Sequence, residues 1–453
     1  MKNVAPHLNL SLSPKKLAQW RVVLIAPSLS PMLKRSLIVL AALFPFCAFA
    51  AADFAPATTA TNKLGLELFR QLAAIKPGEN LLLSPYSIQS ALAMTYAGAD
   101  GDTRTEMARV LHFPPDDATL AKSFGALRDA LDATAKASVA NAAQSQRYGG
   151  NSDVIEWHAA NRLYGQQGYQ FREPFLALAR DGYGAPLEQV DFITAAEPAR
   201  LKINAWVEDQ TRHKIVDLIP PNGLDASSRL VLVNALYLKA PWQKAFDTHM
   251  TAPHPFQTRG TDSVNVPTMR QTRQLGYAKR DGYTAVTLPY FGGDLQFLIL
   301  LPDTPNGVAA LAAKVTPSLL HDCANLNPEL VSLFLPKFRQ QGSTMALGTM
   351  LQALGMKTAF DRPPGSANFD RMAPRGSGEP LHISEVYHQT FIALDEIGTE
   401  AAAATAVGMA GGAGRPNNPP KPVEVHVDHP FLFAIQHCES GACLFLGRVT
   451  DPR

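Results

Sequence analysis

Gly398-Thr-Glu-Ala-Ala-Ala-Ala-Thr-Ala-Val-Gly-Met-Ala-Gly-Gly-Ala-Gly-Arg-Pro-Asn-Asn-Pro-Pro-Lys-Pro422 carries almost no bulky apolar side chain. It nevertheless joins two runs with the alternation of strands, 390–394 and 423–427. Structureless connections this long inside a compact domain are uncommon and are mostly functional or disordered. Read as an extended strand, Thr399, Ala401, Ala403 and Thr405 share one face, with Glu400, Ala402 and Ala404 on the other. A strand that slides between two existing strands needs small side chains, because bulky ones would clash with a sheet already packed on its core. Glu400, on the alternate face, is free to stay in solvent, and Gly398 offers a freely turning hinge. Thr399 to Gly412 reaches about 46 Å when extended, most of the way along a sheet. Composition by itself favours two plainer readings, a flexible linker or an Ala-rich helix capped by Thr399.

The surroundings of this segment are β-rich. Runs 230–238, 284–289, 295–301 and 331–338 are apolar, and 431–435 with 444–449 read as a buried hairpin. The first half is helical by spacing and caps, over 62–75, 87–97, 103–111, 117–133 and 196–210. Residues 135–154, rich in Ala, Ser, Gln, Asn and Gly, read as a surface loop or a frayed helix. No repeat of solenoid period is present. Helices and strands are not strictly interleaved, which predicts an α+β fold, and the wide scatter of strands predicts one interlocked domain.

The 453 residues are 46% hydrophobic and 18% charged, ample for a large packed core and unlike a disordered chain. Residues 1–50 hold Lys2, Lys15, Lys16, Arg21, Lys34 and Arg35 with no acid, which leaves 35 basic against 39 acidic side chains beyond them. A net charge of −4 there argues against a nucleic-acid partner. Lys34-Arg35, the apolar run to Phe46 and Ala48-Phe49-Ala50 have the order of a secretory signal peptide cut near Ala50. The run is too short for a comfortable membrane span, so no membrane association is expected once it is removed. Met32 makes a better start than Met1. The expected organisation is an extension and signal over 1–50 and a single domain over 51–453, in a secreted or periplasmic chain.

Enzymatic signatures are missing: no GxSxG, HExxH, GxxxxGK[ST] or post-strand GxGxxG occurs, and the histidines do not pair at ligand spacing. Asp395 and Glu396 would point to opposite faces of a strand, which is poor for acid–base work. No catalytic residue, metal or cofactor is expected. Cys323, Cys438 and Cys443 form no CxxC pair. A two-residue turn at Ser440-Gly441 would put Cys438 opposite Cys443 as a non-hydrogen-bonded pair, at the short end of disulfide reach. A disulfide there and two free thiols are both open.

Four blocks in order resemble the serpin family over residues 64–452. They are Asn80-Leu-Leu-Leu-Ser-Pro-Tyr-Ser-Ile-Gln-Ser-Ala-Leu-Ala-Met94, Leu230-Val-Leu-Val-Asn-Ala-Leu-Tyr-Leu-Lys-Ala-Pro-Trp242, Ile383-Ser-Glu-Val-Tyr-His388 with Glu396-Ile-Gly-Thr-Glu-Ala-Ala-Ala-Ala-Thr405, and Asp428-His-Pro-Phe-Leu-Phe433 with Phe445-Leu-Gly-Arg-Val449. The resemblance implies three β-sheets, eight to nine helices, and an exposed reactive-centre loop over about 396–422. It implies a metastable inhibitor that a serine protease attacks as substrate, the cut loop then entering the central sheet while the acyl bond persists. A cysteine protease is the second target class, and the chain is expected to be a monomer.

Carried over by position, Glu396, Gly398, Thr399, Glu400, Ala401, Ala402, Ala403, Ala404 and Thr405 resemble the hinge. Ser84, Ser87, Asn234 and His388 resemble the polar latch under the central strands. Trp242 and Lys337, with Glu396, resemble the site at the top of the sheet where the loop begins to insert, and imply a Lys337–Glu396 ion pair. Asn80 is expected to be structural. Thr399 and the alanines bring no charge to be buried, which favours an inhibitor over a non-inhibitory member such as a chaperone or ligand carrier, and over a plain substrate. Family spacing puts the cleaved bond at Gly412–Ala413, with Met409 and Ala410 as alternatives. Small residues there suit an elastase- or subtilisin-like protease, and Met409 a chymotrypsin-like one. No dense basic helix suggests a heparin-type cofactor.

Overall fold

Caps and apolar periodicity set the helices. The computed structural model describes residues 53–147, 153–258, 262–374, 380–400 and 421–453. Among these are nine α-helices: α1 (Ala55–Ile75), α2 (Pro85–Gly98), α3 (Gly101–Val110), α4 (Asp117–Arg147), α5 (Glu173–Ala177), α6 (Phe192–Gln210), α7 (Val308–Lys314), α8 (Pro317–Cys323) and α9 (Gly348–Ala353). Ser84 caps α2 by accepting from Ser87 N at 3.2 Å, with Pro85 in the first turn. Asp191 caps α6 through Thr194 N at 3.0 Å, and Pro198 inside that helix accompanies a kink at Ala195. Of the segment read as a surface loop or a frayed helix, 135–147 forms the last turns of α4. Its helix formers extend the helix to Arg147, with Leu131, Thr134, Ser138 and Ala142 buried along one side.

The strands are β1 (Leu81–Leu83), β2 (Glu156–Gln166), β3 (Leu187–Val190), β4 (Leu230–Pro241), β5 (Ala252–Gln257), β6 (Ser263–Arg280), β7 (Tyr283–Pro289) and β8 (Leu295–Pro302). They continue with β9 (Pro328–Pro336), β10 (Phe338–Gln341), β11 (Met345–Ala346), β12 (Ile383–Leu394), β13 (Gly398–Thr399), β14 (Val423–His426), β15 (Phe431–His437) and β16 (Cys443–Val449). One ladder runs β1-β16-β15-β8-β7-β6-β9-β14, with β5 on β6. It is two sheets sharing one long strand. The first half of β6 pairs with β5 and β9, whereas its end, Gly276 to Arg280, pairs with β7. The other ladder, β10-β12-β13-β4-β2-β3 with β11 on β12, is the third sheet. Three sheets and nine helices match the expected α+β architecture.

The middle of the third sheet, β4 and most of β12, is buried on both faces. Leu230, Leu232, Leu236 and Leu238 of β4 join the main core, which also takes in α1, α2, β15 and β16. Val231, Val233 and Ala235 face the second core beneath α6, with Phe192, Ile203, Val207, Tyr387 and Phe391. That is why β4 reads as a near-continuous apolar run. Asn234 interrupts it on the main-core face.

Of the two readings left open for Cys438 and Cys443, the structure has the free thiols, and Cys323 is free as well. The strands pair one residue away from the register that would oppose the two cysteines, with Ile435 opposite Phe445, and a bulge between Ile435 and Gln436 shifts it by one more, so Cys443 faces Gln436. Gly441, at φ 70°, closes a longer turn by donating to His437 O at 2.8 Å. Cys438 N is then spent on Asp294 O, and Cys443 N on Asn62 Oδ1.

Candidate functional site

Two parallel strands with a third wedged between their ends define the site. Strands β4 and β12 pair directly from Leu230–Ile383 to Leu236–Thr390. Beyond that point β13 lies between them, antiparallel to both, with Thr399 opposite Leu394 and Ala240, and Gly398 opposite Pro241. An antiparallel newcomer is the only orientation that can arrive from β12 through a tight turn. That turn is built by Asp395. Its N–H donates to Gly398 O at 3.0 Å, and its Oδ1 accepts from Ile397 N at 2.9 Å and Gly398 N at 3.2 Å. Burial raises the Asp395 carboxyl, and these amide donors oppose the shift.

Steric fit decides which residues occupy the mouth of this seam. A Cβ on Gly398 would fall on the Ala240 carbonyl oxygen and the Pro241 Cα. Gly398 has no positive φ, so clearance, not the freely turning hinge expected, is what requires glycine. Thr399 is 2% exposed, and its Oγ1 shares a 2.5 Å hydrogen bond with Tyr290 OH. Tyr290 stacks on Trp242, with ring centroids 4.6 Å apart and planes at 7°. Trp242 closes the circuit: its Nε1 donates to Asp395 O at 2.9 Å and its backbone N to Ile397 O at 2.8 Å.

Ion pairs flank this two-residue strand. Lys337 Nζ lies 2.7 Å from Glu396 Oε2, and Thr251 Oγ1 donates to Oε1 at 2.8 Å. Burial works against a charged Glu396, but the Lys337 ammonium and the Thr251 hydroxyl outweigh it and hold the carboxyl below its ordinary range. Glu400, expected in solvent, is instead largely buried and pairs with Lys214 at 2.5 Å. The sheet face it turns to is covered by the connection from α6 to β4, and that cover replaces the expected water.

Below the mouth, polar groups line up across three strands. Asn161 of β2 is opposite Asn234 of β4, which is opposite His388 of β12. All three point to α2. Ser84 N donates to His388 Nε2 at 3.0 Å. Nδ1 must therefore carry the ring proton and donate to Asn234 Oδ1. Asn234 Nδ2 donates to Ser87 O and to Asn161 Oδ1, and Ser87 Oγ donates to Asn161 Oδ1 at 3.2 Å. Ser84 Oγ donates to Leu444 O at 2.7 Å. Complete burial pushes the His388 imidazole down to about 3, so the row is neutral. Parting β4 from β12 at this level breaks the Asn234–His388 bond.

The structure thus brings together Ser84, Ser87, Asn234 and His388 in one network, and Trp242, Lys337, Glu396, Gly398 and Thr399 in another. Asn80, by contrast, binds Asp451 O and the amides of Thr450 and Asp451 and holds the C-terminus. Ala401, Ala402, Ala403, Ala404, Thr405, Met409, Ala410, Gly412 and Ala413, and the proposed signal over 1–50, lie outside the described residues. Sequence reasoning missed Asn161, Lys214, Thr251 and Tyr290. Each is an isolated polar residue whose partner lies far along the chain, and no local pattern marks such a residue.

The comparisons agree with this geometry. The family model described as serpin (serine protease inhibitor) matches residues 59–452. The chain is 33% identical over 421 residues to human plasminogen activator inhibitor 2, covering 87% of this chain and 99% of that one. It is 36% identical over 405 residues to the leukocyte elastase inhibitor of Sus scrofa, with the same shares. Its structure superposes on that of Serpin48 from the insect Tenebrio molitor with a TM-score of 0.71 at 31% identity, covering 89% of this chain and all of the other. A seam with a strand docked at its mouth, a polar row across it and a family match over nearly the whole chain lead to one conclusion: this chain belongs to the serpins, the family of serine protease inhibitors.

Proposed function

We propose that this chain inhibits serine proteases as a suicide substrate. The observation that carries this is β13, antiparallel to both β4 and β12 and continuous with a segment of small side chains. Both neighbours along its onward path are in place, and the Asn161–Asn234–His388 row is the latch that must part. The chemistry belongs to the target. The protease serine oxygen attacks a loop carbonyl, the peptide C–N bond breaks, and the new amino terminus departs, which leaves an acyl ester. Strand addition then proceeds from Thr399 and carries the tethered protease away before water can hydrolyse that ester.

Similarity to a leukocyte elastase inhibitor, together with the small residues around Gly412 and Ala413, supports an elastase- or subtilisin-like target. Met409 supports a chymotrypsin-like alternative. Cut at Ala50, the chain would act outside the cytoplasm, as a monomer. Incubation with elastase-, chymotrypsin-, subtilisin- and trypsin-like enzymes, followed by denaturing gels, tests the proposal. The expected result is a band at the summed mass, and the mass of the released fragment locates the cut. A clipped chain with no summed band from any of the four would overturn inhibition in favour of a plain substrate.

A further inference from the structure

The Lys214–Glu400 pair is poorly explained as a source of stability. Glu400 sits at φ +46°, its N–H donates to Ala393 O at 2.6 Å, and its side chain is 13% exposed. Oε1 meets Lys214 Nζ, whereas Oε2 is buried with no hydrogen-bond partner among the described residues. Burial outweighs the neighbouring ammonium, and the carboxyl stays above its ordinary range. A pair with so unfavourable a desolvation balance is better suited to specifying an arrangement than to stabilising one.

An arrangement does need specifying here. Adding a strand one residue out of register turns every side chain to the opposite face. Ala401, Ala402, Ala403 and Ala404 place a methyl group on whichever face they occupy, so they cannot discriminate between registers. Only the residues just before them can. Thr399 meets Tyr290 on the main-core face, and Glu400 meets Lys214 on the opposite face, where Lys214 also lies 5.5 Å from the Phe391 ring. A slip of one residue would put the Glu400 carboxylate against Tyr290 in the apolar core. Lys214 belongs to the connection between α6 and β4, not to the sheet, so it can hold Glu400 without occupying the seam.

We propose that Lys214 is a positioning residue for strand addition: by receiving the Glu400 carboxylate on the α6 side of the sheet it fixes which residue enters the seam first. This rests on the loop-insertion reading above.

The test uses the full chain with Lys214→Glu, Glu400→Lys, the double exchange, and Lys214→Met as a neutral variant that keeps the stem. The first measurement is hydrogen exchange at the Thr399 and Glu400 amides before any cleavage. The single variants and Lys214→Met should exchange about tenfold faster, and the double exchange should restore protection. The second is the ratio of clipped to covalently trapped chain, expected to rise severalfold in the single variants and fall back in the double. Equal protection in parent and single variants would overturn the proposal. So would a double exchange that folds but stays unprotected, because a merely structural role predicts no rescue. A parent that traps no protease would refute the inhibitor function, yet the exchange measurement would still decide the role of Lys214.

Discussion

Thr399→Arg is the sharpest perturbation of the insertion mechanism. Thr399 is 2% exposed and rests on Tyr290, itself stacked on Trp242. A guanidinium there would be an uncompensated buried charge, which costs about 3–5 kcal/mol. The aromatic pair returns about 1–2 kcal/mol as a cation–π contact. A net penalty of about 1–4 kcal/mol on the first inserted residue, centred on ~2.5, slows insertion about 5- to 900-fold relative to deacylation, ~70-fold at the centre. Acylation itself takes place beyond the hinge and should be unchanged. The assay titrates a fixed amount of protease and separates trapped from clipped chain on denaturing gels. The variant should be cleaved as fast as the parent and should emerge almost wholly clipped. Thr399→Val, which keeps the shape and loses only the hydroxyl, should stay an inhibitor. Capture by Thr399→Arg as efficient as that of the parent would refute insertion at this residue.

Three further outcomes follow from the seam. Gly398→Ala, whose Cβ would meet Ala240 and Pro241, should displace β13 and shift the partition toward clipped product, with the urea midpoint of the uncleaved chain changed by little. Asn234→Ala leaves the His388 Nδ1–H without its acceptor and takes a donor from Ser87 O and from Asn161 Oδ1, and should lower stability by about 2–3 kcal/mol, read as a lower urea midpoint at constant slope. His388 is held neutral down to about pH 3 when folded, whereas an unfolded or seam-open chain takes up the proton below about pH 6.5. Stability from this group is therefore complete above about pH 6.5 and lost as pH falls toward 3, by up to about 1.4 kcal/mol per unit. His388→Gln should flatten that part of a stability–pH profile, and a slope identical to the parent's would contradict it.

What the sequence displays most clearly is what local physics enforces. Pro85 at the start of α2, the apolar run of β4 and the alternation over 390–394 could be read directly, whereas the start of α6 at Asp191 was missed and the helix placed from 196. So could Gly398 and the alanines after it, although the glycine is required for clearance and not for rotation. Strand β2, with Trp157, His158, Asn161 and Arg162 interrupting its alternation, gave no clean period, and β5 carries Pro253 and Pro255. Its prolines are tolerated because, among the described residues, β5 pairs only with β6. The Cys438–Cys443 register differs by two residues, one from the pairing of the strands themselves and one from the bulge after Ile435, neither of which side-chain alternation can reveal. Tyr290, Lys214 and Asn161 acquire meaning only through partners more than sixty residues away.

The two residues of β13 bear on timing. Starting a new strand is the slow part of adding one, because the first few contacts restrain the chain before many bonds reward it. Here a nucleus exists in the uncut molecule, with Thr399 in register between Leu394 and Ala240, Gly398 and Glu400 bonded to the Asp395 and Ala393 backbone, and the Thr399 hydroxyl satisfied. Once the tether is severed, growth proceeds like a zipper from a primed end, with no search for a starting point. The race against hydrolysis is then governed by how quickly β4 and β12 peel apart ahead of the advancing tip, and the Asn234–His388 bond is the first strong tooth it meets.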